Sequence, residues 1–245
     1  MTVSHIELFD LLLGHFGAQG WWPTTPPGAT SPVYDLHQTN DDLTEDQRWE
    51  IIVGAVLTQN TSWRNVTMAL IALSENGKLS LPEMARIDPD SLARLVKPSR
   101  YYNQKARRLH GLVAHVLKQH EGKPSLLLAG DLGRVRQSLL DFEGIGPETA
   151  DSILLYADHR PVFVIDAYTR RIAVRLGLAD EGVSYHQLQA AFMDKLPADA
   201  DLFNEFHALL VRHAVTFCKS RPQCRSCCLL EVCREATVSG VDTSP

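Results

Sequence analysis

Apolar residues recur at the spacing of a helix face along almost the whole chain, which leaves little room for any other architecture. The period holds in 5–16, 47–58, 63–74, 101–118, 134–142, 148–157, 166–176, 185–195 and 201–217. Positions i, i+3, i+4 and i+7 of each segment share one apolar stripe. No segment alternates convincingly with period two, as a half-buried strand must, and Val162-Phe163-Val164-Ile165 is too short to build a sheet. The punctuation agrees: Pro161 precedes one helix, Gly177 follows it, and Pro197 precedes the last long one. Residues 23–44, rich in Pro, Thr, Gly and Asp, read as a loop, and 236–245 as a flexible tail. The expected fold class is all-α.

At 245 residues, 44% hydrophobic and 22% charged, the chain suits one large domain or two smaller, closely packed ones. It has no apolar run of roughly 18 residues, as a membrane span requires. The first residues carry no basic leader or small-residue cleavage site, so a cytoplasmic protein is expected. A net charge of −5 argues mildly against a surface coated for nucleic acid. Phosphate binding, however, needs only one basic face. Basic residues gather as Lys97, Arg100, Lys105, Arg107 and Arg108, and again as Arg170, Arg171 and Arg175. Each group also suits a solvated helix face, so charge alone decides nothing. The five cysteines all lie between Cys218 and Cys233. A disulfide framework would spread them to staple distant elements, so this packing points to a metal centre. Cys218-x5-Cys224-x2-Cys227-x5-Cys233 supplies four thiolates, enough for a [4Fe–4S] cluster or for tetrahedral zinc. Cys228 is the spare thiol, and the spacing also admits it in place of Cys227.

Two segments carry chemistry. In Phe142-Glu143-Gly144-Ile145-Gly146-Pro147-Glu148-Thr149-Ala150-Asp151, two glycines flank one apolar residue just before a helix. Such a turn aims backbone N–H groups outward and lets a phosphate approach, with the helix N-terminus adding a favourable dipole. A plain joint between two helices would use the same residues. In Val164-Ile165-Asp166-Ala167-Tyr168, a carboxylate follows an apolar stretch at a helix start, a position that also suits an N-cap.

Together the two segments, F-x-G-I-G-x-x-T-A-D and then V-I-D-x-Y-x-x-R, resemble the endonuclease III superfamily of helix-hairpin-helix DNA glycosylases. The resemblance implies that Gly144 and Gly146 grip phosphate and that Asp166 is the catalytic carboxylate at the mouth of a base pocket. An anion suits that place because glycosidic cleavage builds positive charge on the sugar, and Asp166 could also orient the attacking water. Members of the family that also cut the strand carry a lysine two residues after the second glycine. Here that residue is Glu148, which cannot form an imine. A monofunctional enzyme without lyase activity is therefore expected, with Glu148 placed at the base pocket.

Trp21-Trp22-Pro23, together with Gly54-Ala55-Val56-Leu57-Thr58-Gln59-Asn60-Thr61-Ser62-Trp63, resembles the endonuclease III-type 3-methyladenine DNA glycosylases. The likeness implies that Trp21, Trp22, Pro23 and Trp63 sandwich the flipped base. Electron-rich rings suit a cationic alkylated purine, whose glycosidic bond is already weak. By the same resemblance Gln59 and Asn60 enter the gap left by the extruded base. Tyr101 then wedges beside it, ahead of the Tyr102-Asn103-Gln104-Lys105-Ala106 motif, at a cost of a few kcal/mol of unstacking. Lys105 is placed among the DNA-binding residues. The family also closes with a four-cysteine loop, and this selects [4Fe–4S] over zinc on Cys218, Cys224, Cys227 and Cys233.

The implied architecture is two helical domains with the active site in the cleft: a helical barrel with the hairpin over 45–160, and a cluster domain from 1–22 and 161–235. The implied protein is a monomer of the bacterial cytoplasm or nucleoid that acts on double-stranded DNA containing a damaged base. Two other readings stay open: a glycosylase of the same fold for oxidised pyrimidines or mismatched adenine, and a non-catalytic lesion-sensing iron–sulfur protein.

Overall fold

The computed structural model describes residues 3–36 and 43–238. Among them the chain is helical throughout, with one isolated bridge, Thr24 to Val33, in place of any strand. In chain order the helices are α1 (His5–Phe16), α2 (Glu45–Thr58), α3 (Trp63–Glu75), α4 (Leu81–Met84), α5 (Pro89–Leu95), α6 (Tyr102–Gln119) and α7 (Pro124–Leu128). They continue as α8 (Leu132–Leu140), α9 (Pro147–Asp158), α10 (Ala167–Leu176), α11 (Tyr185–Met193), α12 (Ala200–Thr216) and α13 (Arg234–Val238). The all-α expectation holds. The short helices α4, α5 and α7 fall outside the periodic segments, being too brief to show a period. Each has a proline in its first turn, where a missing N–H costs nothing.

The chain divides into two compact units, Trp22–Arg160 and Met1–Trp21 with Pro161–Pro245. In the first, α2 is the central element: Trp49 to Leu57 are all buried, so the helix is covered on every side. It packs chiefly on α9, and also on α3, α6 and α7. Its start is fixed by a capping box between Thr44 and Gln47, and that of α1 by another between Ser4 and Glu7.

The second unit has an aromatic core. Phe163 stacks on Phe192 at 4.5 Å and meets Phe203 and Phe206 edge-on. Val162 to Ile165 are buried in an extended segment without a strand partner. The Gln189 amide satisfies the Phe163 carbonyl there at 2.8 Å. Helix α13 corrects the start expected for the tail, because Ala236 is buried within it. Of the expected loop and tail, 37–42 and 239–245 lie outside the described residues.

Candidate active site

In the first unit the hairpin joins α8 to α9. Gly144 has φ +81°, a conformation that favours glycine, and a Cβ there would lie 1.9 Å from Arg108 Nε and displace that side chain. Ile145 is buried between the glycines and anchors the turn, while Gly146 caps α9 ahead of Pro147. A bidentate ion pair clamps the two helices: Arg136 donates to both carboxylate oxygens of buried Asp151 at 2.6 and 3.0 Å. Glu148 is exposed in the first turn of α9. A groove of about 590 Å³ lies beside the hairpin, lined on the α6 side by Gln104, Arg107, Arg108 and His115 and on the hairpin side by Phe142 and Glu143.

The turn after α2 leans on the same hairpin. Gln59 Nε2 donates to the Gly144 carbonyl at 2.8 Å and to Thr149 Oγ1 at 2.9 Å, and its Oε1 accepts from Arg108 at 2.6 Å. The Gln59 side chain therefore holds the turn, and exposed Asn60, at φ 53°, forms its tip. Tyr101 is 62% exposed and also left-handed, at φ 45°, immediately before α6. A wedge needs such an unsupported ring. Lys105 corrects the sequence reading. It is 1% exposed, and its Nζ donates to the carbonyls of Leu57 and Ser99 at 2.9 and 2.6 Å. An ammonium committed to two buried carbonyls is not available to a phosphate.

The aromatic residues are also sorted by burial. Trp22 is 8% exposed, meets Trp63 edge-to-face at 5.0 Å, and touches Tyr156 at the same centroid distance. Its ring lies on α2 where a Cβ at Gly54 would come within 2.8 Å. The contact leaves no slot for a base between Trp22 and Trp63, so Trp22 is a support beneath Trp63 and not an opposing wall. Pro23 is buried with it, whereas Trp63 is half-buried. Glu50, missed by sequence reasoning, anchors this segment: its carboxylate accepts from Thr25 N at 2.8 Å and from Thr25 Oγ1 at 2.7 Å. Burial pushes the Glu50 pKa up against those hydrogen bonds.

In the second unit Asp166 caps α10, with Oδ1 accepting from Thr169 N at 2.6 Å. Its Oδ2 lies 3.8 Å from Nε2 of His207 on α12. Burial lowers the His207 pKa and the Asp166 charge raises it, with a net lowering. His207 gave no sequence signal, because one histidine in an apolar helix looks like any core residue. Trp21 belongs to this unit and is half-buried.

The cysteine loop follows α12. Cys218, Cys224, Cys227 and Cys233 line one small cavity with His213 and Pro222, and Cys228 is not among its lining residues. Arg175 on α10 holds the loop through Cys218 Sγ at 3.3 Å and the carbonyls of Lys219 and Ser220 at 2.7 and 3.2 Å. Among the described residues no three His, Cys, Asp or Glu side chains converge as they would on a single ion.

Residues 53–198 match the HhH-GPD superfamily of base excision DNA repair proteins. A protein of Methanocaldococcus jannaschii whose name assigns it as a DNA repair glycosylase is 35% identical over 228 residues, 93% of this chain and 94% of that one. Endonuclease III of Sulfolobus acidocaldarius is 29% identical over 75% of this chain and 80% of its own. Among solved structures, 3-methyladenine DNA glycosylase of H. pylori, bound to 1,N6-ethenoadenine, is 28% identical with a TM-score of 0.67, covering 87% of this chain and 98% of that one. An endonuclease III–DNA complex shares the fold at 20% identity, covering 94% of both chains with a TM-score of 0.72. The chain thus belongs to the HhH-GPD superfamily, as a DNA glycosylase of base excision repair. Among the described residues no helix is long and apolar enough to cross a membrane.

Proposed function

We propose that this glycosylase removes alkylated purines from double-stranded DNA by hydrolysis, leaving the strand uncut. The observation that carries the reading is Glu148. It stands exposed in the first turn after the hairpin, where a strand-cutting member of the family would carry a lysine. A carboxylate cannot form the imine that strand cleavage requires, so water is the nucleophile. Asp166 orients that water and faces the positive charge developing on the sugar, with His207 Nε2 3.8 Å from its Oδ2. Trp63 offers a ring face to a cationic purine, with Trp22 and Pro23 as backing. The 3-methyladenine glycosylase neighbour supports this substrate class.

The cysteine loop supports a [4Fe–4S] cluster on Cys218, Cys224, Cys227 and Cys233. Four thiols spread round one cavity suit separate irons of a cluster. A tetrahedral zinc ion would need its sulfurs converging on one point at about 2.3 Å. Bound there, the cluster would fix the loop by ligation.

The test is mass spectrometry of bases freed from methylated and oxidised DNA, with strand nicking scored in parallel. Release of an alkylated purine without nicking is expected. Release of oxidised pyrimidines or mismatched adenine instead, or nicking without added base, would overturn the reading.

A further inference from the structure

Helix α6 carries two cations on one face, Lys105 and Arg108, spaced three residues apart. Lys105 joins the last turn of α2 to the segment before Tyr101, through the carbonyls of Leu57 and Ser99. Arg108 joins Gln59 to the hairpin, through Gln59 Oε1 and close contact with Gly144. Each of the three segments so connected contains a residue with positive φ (Asn60 at φ 53°, Arg100 at 61°, Tyr101 at 45° and Gly144 at 81°), as do a few other turns of the chain. A non-glycine residue there is strained and persists only when its surroundings over-determine it. Burying an ammonium is costly, and the carbonyls of Leu57 and Ser99 offset that cost by accepting its hydrogen bonds. Burial, and next the nearby Arg108 charge, push the Lys105 pKa down to about 8. An amine keeps two N–H donors on losing that proton, so both hydrogen bonds survive titration.

We propose that Lys105 and Arg108 are positioning residues, a brace that presets the Asn60 turn, the Tyr101 turn and the Gly144 hairpin as one rigid edge for prising open duplex DNA. The proposal rests on the reading that Asn60 and Tyr101 enter the duplex. It separates two steps: the brace serves extrusion of a paired base, and contributes nothing to cleavage of a base already unpaired.

The test compares Lys105→Gln, which retains an N–H donor, and Lys105→Met with wild type and Tyr101→Ala. The probe is an oligonucleotide carrying 1,N6-ethenoadenine, either paired in a duplex or in an unpaired loop. Single-turnover release from the duplex should fall about tenfold or more in Lys105→Met, and less in Lys105→Gln, with release from the loop unchanged. Amide hydrogen exchange, read without substrate, should show lost protection at 57–62 and 99–103 and retained protection in α9. Equal losses on both substrates, or unchanged exchange at the two turns, would overturn the brace. If Tyr101→Ala leaves the duplex rate unchanged, the wedge reading fails, and the exchange measurement then judges the brace alone.

Discussion

The observed capping role of Asp166 and the catalytic role proposed for it can be separated by one substitution. As the N-cap of α10 it satisfies Thr169 N, and asparagine caps a helix about as well as aspartate. Asp166→Asn should therefore leave the melting temperature close to wild type while base release falls by about 10²–10⁴-fold, the range for removing a general base. A variant that still releases base at the wild-type rate would reduce Asp166 to its capping role. The adjacent thiols allow a second separation. Cys227 faces the cavity shared with Cys218, Cys224 and Cys233, while the Sγ of Cys228 lies 3.9 Å from His213 Nδ1. Cys227→Ser should lose the broad visible absorption of an iron–sulfur cluster, and Cys228→Ser should keep it. The reverse result would exchange the third ligand.

Between α8 and α9 the hairpin depends on a clamp as well as on its glycines. Asp151 is fully buried and Arg136 is its bidentate partner, so Asp151→Ala leaves a guanidinium without its charge partner. Losing the charge-assisted hydrogen bonds to this part-exposed guanidinium costs about 1.5–3 kcal/mol. Urea denaturation should show a loss of that size, and an unchanged midpoint would mean that the pair contributes nothing. The motif containing Asp151 was visible in the sequence, but its partner was not, because Arg136 lies in a different helix and no local pattern links them. The same limit explains the other differences. Helical period and caps depend on neighbours in the chain, so the long helices and the Gly144 turn were legible. Lys105, Glu50 and His207 take their roles from burial by distant segments. A lysine in a basic run reads as surface until α6 is seen to turn it toward Leu57 and Ser99. Trp21, Trp22, Pro23 and Trp63 likewise read as one sandwich, but only packing shows that Trp22 meets Trp63 edge-on.

For the molecule as a whole, buried His207 and half-buried His5 contribute a sensitivity to acid. Burial, with Lys195 adding to it, lowers the His5 pKa; burial lowers that of His207 against the opposing pull of Asp166. The unfolded chain binds protons at both sites below about pH 6.5, whereas the folded chain excludes them until lower pH. In that window the unfolded state holds more protons, so stability is present above pH 6.5 and is lost as pH falls toward the folded values. Buried Glu50 and half-buried Glu205 act in the opposite sense. Burial raises their pKa values above the usual carboxylate range, so they bind protons before the unfolded chain does and favour folding as pH falls toward that range. The histidine effect begins at higher pH, so the denaturation midpoint should fall between pH 7.5 and 5.5. Replacing His5 and His207 together with glutamine removes the two titrations and keeps polar side chains of similar reach. The double variant should show a flatter dependence over the same interval, whatever its stability at pH 7.5. A wild-type midpoint that is level or rising as pH falls would mean that the carboxylates outweigh the histidines. An equally steep double variant would assign the acid sensitivity to other groups.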